Sequence, residues 1–212
     1  MKTILAYGDS LTFGSNPIAQ SRHLYEDRWP TVLEAGLGGK ARVIPEGLGG
    51  RTTAFDDFSA LADRNGVRIL PTILGSHSPL DLVVIMLGTN DLKPFINGSA
   101  LGAAHGVKRL VEVIRTYPYN AGISVPKIVV VAPPHLVETE HADLKYMFLD
   151  GVAESAKLAG HYARISRDLG VAFFDAGTVA VANAIDGVHL DAANTRAIGT
   201  GLVPVVKELL QL

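Results

Sequence analysis

Five short apolar runs punctuate the chain: Thr3–Tyr7, Arg42–Pro45, Asp81–Leu87, Lys127–Ala132 and Val171–Phe174. The third and fourth are nearly unbroken in branched apolar residues, the pattern of strands buried on both faces of a parallel sheet. Between the runs the apolar spacing becomes helical. Arg28–Leu37 has Pro30 in its first turn, where the missing N–H is tolerated. Ala100–Tyr117 carries Val107, Leu110, Val111 and Ile114 on one face. Asp143–Leu169 is the longest helical stretch, with Gly151 and Gly160 as points of bending, and Pro204 predicts a kink or late restart within Ala192–Leu210. Thr52–Pro79 and Lys93–Ser99 exceed what simple connections need, and long ordered loops are often functional.

Strands alternating with helices predict an α/β protein, a central parallel sheet with right-handed crossovers. The 212 residues suit one domain spanning 1–212, with no linker, repeat or low-complexity tract. In such sheets ligands bind beyond the carboxyl ends of the strands, so the residues following each run matter most.

Composition narrows the chemistry. With 48% hydrophobic and 19% charged residues, disorder is excluded for the bulk of the chain. Nineteen Lys and Arg against twenty-one Asp and Glu leave a net charge of −2, with no basic footprint for nucleic acid or an anionic membrane. There is no cysteine, which removes thiolate nucleophiles, disulfides and Cys-ligated metals together. The apolar N-terminal run is too short for a signal-peptide core, and no segment approaches the ~20 apolar residues of a membrane span. A soluble, cytoplasmic protein with an oxygen or nitrogen nucleophile is expected.

Each run is followed by a distinctive turn. Gly8-Asp9-Ser10-Leu11 comes first, then Glu46-Gly47-Leu48-Gly49-Gly50-Arg51-Thr52-Thr53, Gly88-Thr89-Asn90-Asp91 and Pro133-Pro134-His135. After the fifth, Asp175-Ala176-Gly177 leads to Asp186-Gly187-Val188-His189. Taken singly these are ordinary: a turn with a helix cap, a flexible Gly pair, a local Asp–His hydrogen bond. Together they supply a hydroxyl nucleophile, its base, a residue to orient the base, and donors for an oxyanion, the set ester hydrolysis needs.

In these four blocks the chain resembles the SGNH (GDSL-type) hydrolases, over residues 5–189. The resemblance implies a three-layer α/β/α, flavodoxin-like fold around a five-stranded parallel sheet. It implies Ser10 as nucleophile, His189 as base and Asp186 as its partner, with Ser10, Gly50 and Asn90 forming the oxyanion hole. Glu46 is a departure, since many members carry Asn there; the difference touches a local hydrogen bond, not the triad. Glu46-Gly47-Leu48, Arg51-Thr52-Thr53, Leu80–Asp91 and Phe173–Gly177 are similar to the arylesterase/acyltransferase branch. That likeness implies small aryl or short-chain acyl esters as substrates, water or an alcohol as acyl acceptor, and a homo-oligomer. No metal or cofactor is needed. Leu11, Phe13 and His135 are the candidates for substrate contact, although aromatics such as Phe13 and Trp29 near helix starts more often join the core.

Rival readings lack their signatures. Gly8 and Gly14 do not form Gly-x-Gly-x-x-Gly, and Gly39-Lys40 lacks the rest of a phosphate-binding loop. Thr12 breaks the Gly-x-Ser-x-Gly of standard α/β-hydrolases. His135 and His141 have no metal-ligand spacing, and His23, His77, His105 and His161 read as surface or helix-packing residues. A silent binding module on the same fold is disfavoured by intact Ser10, Asn90, Asp186 and His189. A carbohydrate acetylesterase or small thioesterase is the alternative within the same chemistry.

Overall fold

The computed structural model describes residues 1–212. In chain order the elements are β1 (Lys2–Gly8), α1 (Ser10–Phe13), the two-residue strands β2 (Ser15–Asn16) and β3 (Ser21–Arg22), and α2 (Trp29–Gly36). Then come β4 (Ala41–Gly47), α3 (Gly66–His77), β5 (Leu82–Met86), α4 (Ala100–Thr116) and β6 (Lys127–Ala132). The chain ends with α5 (Leu144–Met147), α6 (Gly151–Leu169), β7 (Ala172–Asp175) and α7 (Ala192–Leu210).

The main sheet has the order β4-β1-β5-β6-β7 and is parallel throughout. Alternation along each strand feeds two cores. Leu5, Tyr7, Val83, Ile85 and Val130 face α3, α4 and α6, whereas Ile4, Ala6, Val84, Met86 and Val129 face α2 and α7. All five residues of β5 are buried, which explains its unbroken apolar run. Each such side chain contributes roughly 1.5–3 kcal/mol by leaving water. Pro45 is accommodated because β4 is an edge strand. This is the expected five-stranded α/β/α architecture.

Three local expectations need correction. The stretch Thr52–Pro79 is not all loop, because α3 occupies Gly66–His77. Leu70 and Leu74 lie one turn apart and fully buried, and Pro71 is turned to solvent, so the proline hides the helix in the sequence without breaking it. The long stretch Asp143–Leu169 is divided at Phe148–Asp150, with Asp150 left-handed at φ 61°. A Cβ on Gly151 would meet Leu136 and Phe148 at 3.0 and 3.1 Å, so α6 starts on a residue with no side chain to crowd them. Gly160 lies within α6 without interrupting it. Pro204 does not interrupt α7 either; Pro204 and Thr200 both lie on the exposed side of the helix.

Candidate active site

The carboxyl ends of β1, β4 and β5 bring the first three blocks together. β1 passes directly into α1, so Ser10 is the first helical residue, and the Asp9 side chain caps the turn by accepting the Leu11 N–H at 2.9 Å. Gly8 is obligatory in this turn: a Cβ there would run into Thr12 Oγ1 and lie 2.8 Å from the Met86 carbonyl. Leu48 N–H donates to the Gly8 carbonyl at 3.1 Å, and the Arg51 guanidinium donates to the same oxygen at 2.8 Å and to the Glu46 carbonyl. Arg51 also lies over the Tyr7 ring, 4.3 Å from its centroid. The second block is thereby locked onto the backbone just ahead of the serine.

Asp186 and His189 arrive on the loop before α7. His189 Nε2 stands 2.9 Å from Ser10 Oγ, and His189 Nδ1 stands 2.6 Å from Asp186 Oδ2. The other Asp186 oxygen accepts the backbone N–H groups of Val188 and His189 at 2.9 and 2.8 Å, which fixes the carboxylate relative to the ring. Burial works to raise the Asp186 pKa. Hydrogen bonds from His189 and from the two backbone N–H groups outweigh it and hold the carboxyl below its ordinary range. An ionised Asp186 can only accept, so Nδ1 carries the proton and the Nε2 lone pair is turned to the serine hydroxyl.

Gly50 sits at φ 83°, a left-handed conformation natural to glycine, and Arg51 N–H closes its turn onto the Leu48 carbonyl at 3.0 Å. The N–H of Gly50 makes no hydrogen bond within the chain. Asn90 Nδ2 donates to the Arg51 carbonyl at 3.1 Å and makes a long 3.4 Å contact with Asp9 Oδ2, so one amide hydrogen is anchored and the other is weakly held. Beneath it, fully buried Asp91 accepts Thr53 N–H at 3.0 Å and the Thr53 hydroxyl, tying the second block to the third. Burial pushes both Asp9 and Asp91 up to about 6, against the hydrogen bonds from Leu11 and from Thr53.

Other candidates fall elsewhere. Leu11 packs in the core with Trp29, Leu33 and Leu202 instead of facing a cleft. Phe13 is partly exposed beneath the Arg22 guanidinium, which lies 4.1 Å from its ring centroid. His135 is exposed beside Gly177, and Glu46 turns its carboxylate to His77 Nε2 at 3.0 Å, outside the triad. Sequence reasoning missed Asp9, Arg51 and Asp91, charged residues inside the motifs whose burial only the fold reveals. Of the two readings of His23, surface or helix packing, its 3% exposure removes the first. Beside His189 opens a cleft of about 410 Å³ lined by Ser15, Asn16, Pro17, Gln20, His141, Ile185, Asp186 and His189. No three His, Asp or Glu side chains cluster so as to hold a metal ion.

A hydroxyl, an imidazole and a carboxylate in series at the rim of a parallel sheet define a serine-hydrolase type of site. The model of the GDSL-like lipase/acylhydrolase family matches residues 6–197, and the chain belongs to that family. Among solved structures, a carbohydrate acetylesterase family member from Sinorhizobium meliloti is 52% identical over 100% of both chains, with a TM-score of 0.98. The M. smegmatis aryl esterase is 39% identical over 99% of this chain and 100% of its own, with a TM-score of 0.94. A second carbohydrate acetylesterase from S. meliloti is 38% identical over 99% and 100%, also at 0.94. None of the curated proteins compared matches the chain. The protein is a carboxylic ester hydrolase. No helix is long and apolar enough to cross a membrane.

Proposed function

We propose that the protein hydrolyses small carboxylic esters through an acyl-Ser10 intermediate. The observation that carries this reading is the unbroken relay from Asp186 through His189 to Ser10, at 2.6 and 2.9 Å. Ser10 Oγ attacks the ester carbonyl carbon while His189 Nε2 takes its proton. Asp186 stabilises the imidazolium and does not itself become protonated. The carbonyl oxygen becomes an oxyanion, met by the N–H groups of Ser10 and Gly50 and by the loosely held hydrogen of Asn90. Collapse breaks the bond to the alcohol, which leaves with the proton from His189. Water then attacks the acyl-serine, again deprotonated by His189, and releases the acid. An alcohol in place of water gives a new ester.

The cleft beside His189 favours a second, narrower reading of the substrate. The leaving oxygen must lie within reach of His189 Nε2, so the alcohol portion extends toward Ser15, Asn16, Gln20 and His141. These side chains hydrogen-bond hydroxyl groups, which supports an acetylated sugar or similar polyol alongside simple aryl esters. The related structures include both carbohydrate acetylesterases and aryl esterases. Exposed Phe58 and Leu61, on the loop after β4, support self-association into a homo-oligomer, to be read from the mass in solution.

The deciding experiment is release of nitrophenol from p-nitrophenyl acetate by wild type and Ser10→Ala. The variant is expected to lose at least about 10³-fold in kcat. Undiminished turnover would remove Ser10 as nucleophile. Comparison of acetylated methyl glycosides with phenyl acetate then separates the two substrate readings.

A further inference from the structure

Outside the triad, His23 is the buried titratable group that ties the Ser10 segment to the loop carrying His189. The chain leaves α1 at Gly14, makes an eight-residue excursion through β2 and β3, and returns at His23, whose N–H donates to the Gly14 carbonyl at 2.7 Å. The imidazole Nε2 lies 2.8 Å from the carbonyl oxygen of Leu190, the residue after His189. A carbonyl only accepts, so Nε2 carries the hydrogen. The Arg28 guanidinium holds the His23 carbonyl with two bonds, at 3.0 and 2.9 Å. Apart from the Ser10–His189 contact itself, the His23–Leu190 bond is the only hydrogen bond joining residues 9–28 to the loop 183–191. On its other side the loop is held by Val137 N–H to the Gly187 carbonyl at 3.0 Å and by the Thr139 hydroxyl to the Ile185 carbonyl at 3.1 Å, and within itself by Asn183 N–H to the His189 carbonyl at 2.8 Å.

We propose that His23 is a positioning residue: it sets the separation of Ser10 and His189 by clamping the end of the nucleophile's helix to the loop that carries the base. The inference rests on the Ser10–His189 reading above. The nucleophile is fixed from below by the sheet, and the base arrives on a loop whose one hydrogen bond to the nucleophile's segment, besides the 2.9 Å contact itself, is that from His23, so the gap is set where that tie holds the two segments together. Leu190 is 2% exposed, and its carbonyl has no water to replace the imidazole. The excursion that His23 closes also supplies Ser15, Asn16, Pro17 and Gln20 to the cleft, so the clamp aligns the leaving-group side with the base.

The test compares His23→Gln, His23→Asn and His23→Leu. The Gln amide nitrogen reaches the place of Nε2, the shorter Asn reaches only that of Nδ1, and Leu fills the volume without a donor. Two readouts are taken: kcat and KM for p-nitrophenyl acetate, and the rate at which diethyl p-nitrophenyl phosphate labels Ser10. In the labelling step the serine oxygen bonds to phosphorus, nitrophenolate leaves and His189 receives the proton. Both kcat and labelling rate are expected to fall on the order of 10- to 100-fold in the Asn and Leu variants, with KM nearly unchanged, and to stay within about threefold in the Gln variant. Should the Leu variant not fold, the Asn–Gln contrast alone decides. Gln behaving like Asn, or all variants matching wild type, overturns the clamp while the nucleophile stands. Failure of wild type itself to be labelled at Ser10 would overturn both readings.

Discussion

Asp91 is a buried carboxylate that stabilises the architecture of the site at a measurable energetic cost. It is fully buried and receives two hydrogen bonds from Thr53, yet burial, with the nearby charge of Asp9 adding to it, lifts its pKa from 3.8 to about 6. In the unfolded chain the group ionises near 3.8. Between about pH 4 and pH 6 the folded protein therefore binds a proton that the unfolded chain does not, and stability from this group falls as pH rises through that window. Above pH 6 the full penalty applies, about 3 kcal/mol for a rise from 3.8 to about 6. Asp91→Asn keeps the shape, accepts the Thr53 N–H through its amide oxygen, and can donate to the Thr53 hydroxyl. At pH 8 the variant is expected to be more stable than wild type by up to about 3 kcal/mol, which for a chain of this length raises Tm by about 2–4 °C per kcal/mol. The advantage should shrink through pH 6 and vanish near pH 4, where both side chains are neutral. Urea denaturation of both proteins from pH 4 to pH 8 measures it, and the difference between them cancels the acid loss caused by depressed carboxyls such as Asp186 and Asp81. A variant less stable than wild type at pH 8, or a gap that does not change with pH, would refute the reasoning and mean that the charge-assisted bonds to Thr53 outweigh desolvation.

Three further outcomes are expected. Asp186→Asn presents an amide to Nδ1 and favours the wrong tautomer, so kcat should drop on the order of 10⁴-fold with little change in KM, read by steady-state kinetics on p-nitrophenyl acetate. If Asn90 is an oxyanion donor as proposed, Asn90→Ala should lower kcat by about 10²–10³-fold; a loss confined to KM would assign Asn90 to binding instead. Gly50→Ala puts a side chain at φ 83° against the Arg64 guanidinium, costing roughly 1–2 kcal/mol of backbone strain and lowering both Tm and kcat.

Much of the site could be read along the chain because its residues sit in turns directly after strands. Asn90 follows a run whose burial is written in consecutive Leu, Val, Ile and Met, Ser10 follows the shorter Ile4-Leu5-Ala6-Tyr7, and Gly50 follows an edge strand interrupted by Arg42 and Pro45. Asp186 and His189 are three apart, so one loop delivers both, and their local spacing was visible before their partner was. Periodicity failed where a proline or glycine carried its weight differently in three dimensions. Pro71 and Pro204 are exposed and leave their helices intact, whereas the break before α6 falls at left-handed Asp150, next to a glycine packed close to Leu136 and Phe148. His23 gave no local signal at all, because its partner is 167 residues away.

The sequence by itself determined the alternation of buried strands and amphipathic helices, the absence of any thiol, and the types of residue on the catalytic rim. These follow from local chemistry, which a linear pattern can record. Only the tertiary structure decided that Ser10 Oγ and His189 Nε2 meet at 2.9 Å, that Asp9 and Asp91 are buried deeply enough to hold protons up to about pH 6, and that a polar cleft opens beside His189. Those are properties of distance and solvent exclusion between segments far apart in the chain, and they arise only when the sheet has brought its strand ends to one edge.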